Sequence, residues 1–286
     1  MRSQSAFSFS KISLIMDAEL QRRVQRYGWD KAAAYYENFW HNQLKPAQDL
    51  LLEMIKPASG ERVLDTACGT GLVSFRVKKS VGEDGFVLGT DISEKMVEIS
   101  TALAKEKKIN NIQFARMDAE ELQSPDNSFD AAICALGLMY FPDPLKALKE
   151  MRRVLKPGGR AAAAVWGQRD HCGWSEIFEI VDKRVASEVC PMFFNLGNPG
   201  QSQLYFKAAG YSNIESKKIS TTLRYATGEE AIGAAFAGGP VALAYSKFNE
   251  AVKTEAHAEY LDSIKQYKKE NGYELPGEFV VTIGIK

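Results

Sequence analysis

Between Glu61 and Trp166, short apolar runs alternate with stretches whose apolar positions recur every three or four residues. That rhythm is what a parallel sheet with helices on both faces leaves in a sequence. The runs place strands at 61–67, 86–91, 112–117, 129–136 and 159–166. The helical stretches lie at 72–81, 93 to about 108, and 144–155. In the second of these, Met96, Ile99 and Leu103 share one face, and Ser93 is placed to cap the N-terminus. Lys156-Pro157-Gly158-Gly159 reads as the turn that stops the third.

After Trp166 the rhythm breaks. Residues 167–199 combine an amphipathic stretch at 175–189 with an irregular segment rich in Pro, Gly and Asn. A helix ending at Ala209-Gly210, a strand at 214–220 and a terminal strand at 278–285 resume the pattern. Between the last two strands lies a helical insertion at about 228–273, of the kind that often covers a site. Residues 18–55 are mainly helical and carry Tyr35, Tyr36, Phe39 and Trp40 close together. With no repeat, low-complexity tract or linker, residues 18–286 read as one α/β domain. It would comprise an N-terminal helical cover (18–56), a core (61–167) and a C-terminal half with the insertion (168–286).

Composition adds mainly exclusions. A chain of 286 residues that is 45% apolar can bury a large core. Thirty-six basic and thirty-six acidic side chains cancel, so no global field favours nucleic acid or an anionic membrane surface. No apolar run approaches the roughly 20 residues of a membrane span. Cys68, Cys134, Cys172 and Cys190 are scattered and form no C-x-x-C pair, which fits a reducing, cytoplasmic setting. Residues 1–17 read as a flexible leader; Arg2, Lys11, five serines and the lack of acids before Asp17 only faintly suggest a targeting peptide.

The stretch VLDTACGTG at residues 63–71 carries the chemistry. A strand turning through Gly69 and Gly71 into a helix exposes backbone N–H groups that attract an anion, so a pyrophosphate and an amino-acid carboxylate both fit. A phosphate loop would need a Lys-Ser or Lys-Thr pair after the glycines, and none follows. The dinucleotide fingerprint would place a third glycine where Ser74 stands. Asp65, beside the bend, would repel a pyrophosphate but not a ligand carrying an ammonium or sulfonium cation.

With GTDIS (89–93), ARMDAEEL (115–122), SFDAAICALGLMYFPDP (128–144) and EMRRVLKPGGR (150–160), this stretch resembles the class I S-adenosylmethionine-dependent methyltransferases. Within them the likeness is to the small-molecule group that includes ubiquinone/menaquinone-biosynthesis enzymes. The resemblance implies a Rossmann-like, doubly wound, seven-stranded, mostly parallel sheet with an antiparallel last strand. It implies S-adenosylmethionine as cofactor, with Gly69 and Gly71 making room for its methionine part and the Ala67 backbone and Asp65 near its amino group. Asp91 would hold the ribose hydroxyls, with Ile92 and Met96 beside it. Asp118 would accept from the adenine amino group and the Ala119 N–H would address the ring; the alternative, a cap on residues 119–122, is disfavoured by its place after the third strand, beyond whose carboxyl end ligands bind. Ala135 and Leu136 would border the methyl-donor pocket, and Tyr36 and Trp40 could close over the sulfonium.

Methyl transfer from a sulfonium is an in-line displacement in which the protein mainly orients. A hydroxyl or amine acceptor would also need a base. His41, His171 and Tyr140 are the candidates. Cys172 and Cys190 could present a soft acceptor such as trivalent arsenic, but their spacing matches no metal pattern, and no metal is expected. The expected partner is a small or lipid-like methyl acceptor, with the chain a monomer or homodimer. The competing readings are a nicotinamide-dependent oxidoreductase and a non-catalytic cofactor-binding module.

Overall fold

The computed structural model describes residues 18–185 and 193–286. The expected leader, Cys190 and the end of the amphipathic stretch at 175–189 lie outside them. The described chain opens with helix α1 (Ala18–Ile55) and then alternates β1 (Arg62–Thr66), α2 (Leu72–Val81), β2 (Phe86–Asp91), α3 (Glu94–Glu106) and β3 (Ile112–Arg116). β4 (Phe129–Ala135), α4 (Pro144–Val154) and β5 (Leu155–Trp166) follow. The C-terminal half contributes α5 (Ile177–Asp182), α6 (Gln201–Ala208), β6 (Ser212–Tyr225), α7 (Gly228–Ile232), α8 (Ala242–Tyr245), α9 (Glu250–Ser263), β7 (Lys268–Lys269) and β8 (Gly272–Ile285).

These strands form one sheet in the order β3-β2-β1-β4-β5-β8-β6, with the two-residue β7 attached to β8. β1 to β5 are parallel, and β8 runs antiparallel between β5 and β6. The fold is therefore the expected mostly parallel Rossmann-like sheet with an antiparallel last strand. Its central strands read as continuous apolar runs because both faces are covered. Val63, Leu64, Ala131, Ala132 and Ile133 are fully buried, as is the alanine run of β5. α1 packs Leu44, Ala47, Leu51 and Ile55 inward, and it contacts β5, β6, β8 and α3.

The early elements stand where the pattern puts them, and α2 matches it residue for residue. Ser93 caps α3 by accepting from the Met96 N–H at 3.1 Å. Three elements differ. β5 starts at Leu155 because Leu155 pairs with Phe129, and a register shift beside Phe129 absorbs the Pro-Gly-Gly turn within the strand. β6 and β8 pair over their whole length out to Tyr225 and Tyr273, since Leu223, Tyr225 and Leu275 are buried behind polar neighbours. The helical part of the insertion consequently ends near Ser263.

Candidate functional site

The first four strands end, at their carboxyl edge, in loops that converge on one crevice, the usual ligand position in an open α/β sheet. After β1 the backbone enters the left-handed region at Ala67 (φ 52°), Gly69 (φ 56°) and Gly71 (φ 90°). A Cβ on Gly71 would come within 2.9 Å of the Phe75 ring, so only glycine turns the chain into α2 here. After β4, Leu136 is also left-handed (φ 65°). A Cβ on Gly137 would lie 2.4 Å from the Ala67 side chain, which shows how closely the two loops press together. Ala67 and Leu136, two non-glycine residues in this sparsely occupied region, both stand on the crevice wall and store backbone strain there.

Asp91 ties the loops. One carboxylate oxygen accepts from the Gly69 N–H and the other from the Ser93 N–H, both at 2.9 Å. Burial pushes its carboxyl up to about 6; these two donors hold it back, and the charge of Asp30 adds to the rise. Asp65 is fully buried beneath the loop. It accepts from Ser74 Oγ at 2.5 Å, and its second oxygen has no partner among the described residues. Burial pushes it up to about 7, against the Ser74 hydrogen bond and with the help of Asp91. The position where a dinucleotide fold would have a third glycine thus holds the hydroxyl that anchors Asp65.

At the end of β3, Asp118 accepts from the Glu120 N–H at 2.8 Å within a turn, and no helix follows it. Arg22 of α1 pairs with Asp118 (Nε to Oδ2, 2.7 Å) and with Glu120, whose side chain is nearly inaccessible. Burial raises the Glu120 carboxyl, opposed by the Asp143 N–H and Arg22. Asp30 of α1 accepts from Ser93 Oγ at 2.6 Å and the Lys95 N–H at 3.1 Å, so α1 is fastened to the first turn of α3.

The resulting cleft spans about 700 Å³, counting the open space at its mouth. Tyr36, Ala67, Gly69, Asp91, Ile92, Met96, Asp118, Ala119, Ala135, Leu136 and Tyr140 all lie on its wall. Asp65 and Gly71 do not; they support the loop from behind. A second cavity of about 310 Å³, its open mouth included, adjoins it, lined by Trp29, Tyr36, Trp40, Leu44, Leu136, Met139, Tyr140, Trp166, Trp174, Gly239 and Pro240. Trp29, Tyr36, Leu136 and Tyr140 border both. Trp40 therefore belongs to this aromatic chamber and not to the cleft.

His41 is exposed on α1 and borders neither cavity. His171 also stands outside both, with Nδ1 2.9 Å from Glu278 Oε2. Burial alone would raise the Glu278 carboxyl, but Lys218, the Gln168 N–H and His171 hold it below its ordinary value. Burial pushes the Cys172 thiol up to about 12, and that of Cys68 well above its ordinary value, so neither supplies a thiolate near neutrality. Sequence reasoning missed Arg22, Gln25, Trp29, Trp166 and Trp174 as site residues. The signal was present for three of them: Arg22, Gln25 and Trp29 continue N-terminally the helical stripe that Tyr36 and Trp40 occupy.

The fold and the crevice at its switch point define a Rossmann-like methyltransferase architecture. The model of the ubiE/COQ5 methyltransferase family matches residues 40–201, more than half of the chain. The chain belongs to that family. A demethylmenaquinone methyltransferase of Geobacillus kaustophilus is 32% identical over 225 residues, covering 71% of this chain and 94% of that protein. The enzyme of the same name from Listeria welshimeri is 37% identical over 127 residues, or 44% of this chain. That match spans 54% of the Listeria protein, about half its length. Among solved structures, Haemonchus contortus phosphoethanolamine N-methyltransferase 2 in complex with S-adenosyl-L-methionine superposes with a TM-score of 0.58 at 20% identity. The superposition covers 90% of this chain and 57% of that one, and it bears on the fold alone.

Proposed function

We propose that the chain transfers a methyl group from S-adenosylmethionine to a small, flat, largely apolar acceptor. The observation that carries this reading is the pairing of a cleft that carries Asp91 and Asp118 with an aromatic chamber, the two sharing Trp29, Tyr36, Leu136 and Tyr140. The cleft suits the cofactor. Asp91 has lone pairs left for ribose hydroxyls, Asp118 and the Ala119 N–H, on the same cleft, would address an adenine, and the glycine loop would make room for the methionine end. The unpartnered oxygen of Asp65, just beneath that loop, favours a cationic group above it.

When bound, the cofactor supplies an activated methyl and a neutral sulfur leaving group. The protein's own contribution is to hold the acceptor where chamber and cleft meet, between the residues that border both, in line with that methyl. Orientation of this kind can be worth roughly 7 to 11 kcal/mol. Among the described residues, the chamber's only ionisable side chains are Tyr36 and Tyr140. Burial, with the charges of Asp91, Asp65 and Glu37, raises the Tyr36 phenol far above neutrality, so it stays protonated and serves as a wall rather than a base. An acceptor that is already nucleophilic, such as an electron-rich ring, suits such a site. The reduced, hydroquinone form of the demethylmenaquinone in the name of the curated relatives is such a ring, gaining the methyl at carbon and losing that carbon's proton.

Calorimetry with S-adenosylmethionine tests the cofactor assignment: one molecule should bind per chain, and Asp91→Ala should abolish binding while circular dichroism stays native. Binding of NAD in place of S-adenosylmethionine would overturn it.

A further inference from the structure

Trp174 stands in the turn that follows β5. The Gly173 N–H donates to the Pro276 carbonyl at 2.9 Å, which pins the turn to β8. A Cβ on Gly173 would lie 2.7 Å from the Pro276 ring, so the turn sits directly on that strand. The indole is 2% exposed and forms part of the chamber wall, with Trp166 at 4.9 Å and Trp40 at 6.0 Å between ring centroids. Its Nε1 is shielded from solvent and meets no acceptor among the described residues. A buried donor without a partner is costly and rare in a folded protein unless a ligand or water supplies the acceptor.

We infer that Trp174 Nε1 donates a hydrogen bond to a ring oxygen of the methyl acceptor and thereby fixes which edge of the ring faces the cleft. This rests on the methyl-transfer reading above and adds the residue that orients the acceptor. Among the described residues, no carboxylate or cationic side chain borders the chamber, so an uncharged ring meets no buried charge there. The indole N–H is a donor only, so it discriminates for a carbonyl or hydroxyl oxygen and against a protonated amine, which has no lone pair to offer.

The chain has four tryptophans, so a ¹⁵N-labelled sample gives four indole signals, and Trp174→Phe assigns the one of interest while keeping an aromatic ring in place. The protein is first saturated with S-adenosylhomocysteine and then titrated under argon with 1,4-dihydroxynaphthalene or with naphthalene. The expected result is a downfield shift of the Trp174 indole proton with the dihydroxy compound only. Trp174→Phe should bind that compound about tenfold more weakly and naphthalene unchanged. An unmoved Trp174 signal while the dihydroxy compound binds, an undiminished preference for it in Trp174→Phe, or no binding of either ring to the loaded protein would each overturn the inference and leave the cofactor assignment standing. Failure of S-adenosylhomocysteine itself to bind would overturn the methyl-transfer reading, and the role of Trp174 with it. Should the variant fail to fold, Trp29→Phe, Trp40→Phe and Trp166→Phe assign the other three indole signals, and a remaining signal that stays still while the dihydroxy compound binds would overturn the inference.

Discussion

Two buried carboxylates dominate the chemistry of single residues here. Asp91 and Asp65 are raised to about 6 and about 7, chiefly by burial, whereas in the unfolded chain both titrate near the ordinary Asp value of about 4. Between those limits the native protein holds more protons than the unfolded one, so stability falls as pH rises from about 4 to about 7. Asp65→Asn should flatten that decline in the ligand-free protein, read as melting temperature against pH. A cation entering above the loop would favour the ionised carboxylates and release protons. Affinity for S-adenosylmethionine should therefore rise as pH rises from about 5 to about 7.5, with proton uptake by the buffer in calorimetry and a weaker dependence in Asp65→Asn. From sequence, Asp65 and Ser74 were legible as departures from a dinucleotide site. That the two bond to each other under the loop was not, because the direction in which a strand-end side chain points depends on the helix packed behind it.

At the scale of elements, α1 is both a wall and a strap. Its aromatic stripe closes the chamber, and Asp30 joins it to the first turn of α3 while Arg22 joins it to the loop after β3. Asp30→Ala removes an acceptor from two donors of that turn, a loss comparable to that of a helix cap, about 1 kcal/mol. Faster amide hydrogen exchange across the N-terminal half of α1, with weaker S-adenosylmethionine binding, is the expected outcome. Unchanged exchange would mean that packing alone holds the strap. The helix itself was legible as a mainly helical segment with clustered aromatics. The position of Arg22 on that stripe was legible too, but its role was not, because its acidic partners Asp118 and Glu120 come from the loop after β3.

Across the whole molecule, the parallel half of the sheet was the legible half. β1, β2, β4 and β5 are largely buried, so they read as short apolar runs bounded by turn signals, and the edge strand β3, which exposes Gln113 and Arg116, still carries Ile112, Phe114 and Ala115. The β6–β8 pair was underestimated because its far ends, 221–225 and 272–277, mix threonine, arginine, glutamate, proline and glycine with few apolar residues and bury only Leu223, Tyr225, Leu275 and Gly277. The aromatic chamber is assembled from α1, the loop after β4, the end of β5, the turn carrying Trp174 and the Gly239-Pro240 turn, most of them far apart in sequence. No local pattern could have announced it. What the assembled molecule adds is the junction of cleft and chamber, framed by the residues that border both, where a methyl group would pass directly from donor to acceptor. The most direct measurement of that claim is mass spectrometry after incubating the protein with S-adenosylmethionine bearing a deuterated methyl and with 1,4-dihydroxynaphthalene. The account predicts a ring product carrying the label in step with the S-adenosylhomocysteine formed. Binding of both compounds with no labelled product, from this or any related oxygenated ring, would contradict it.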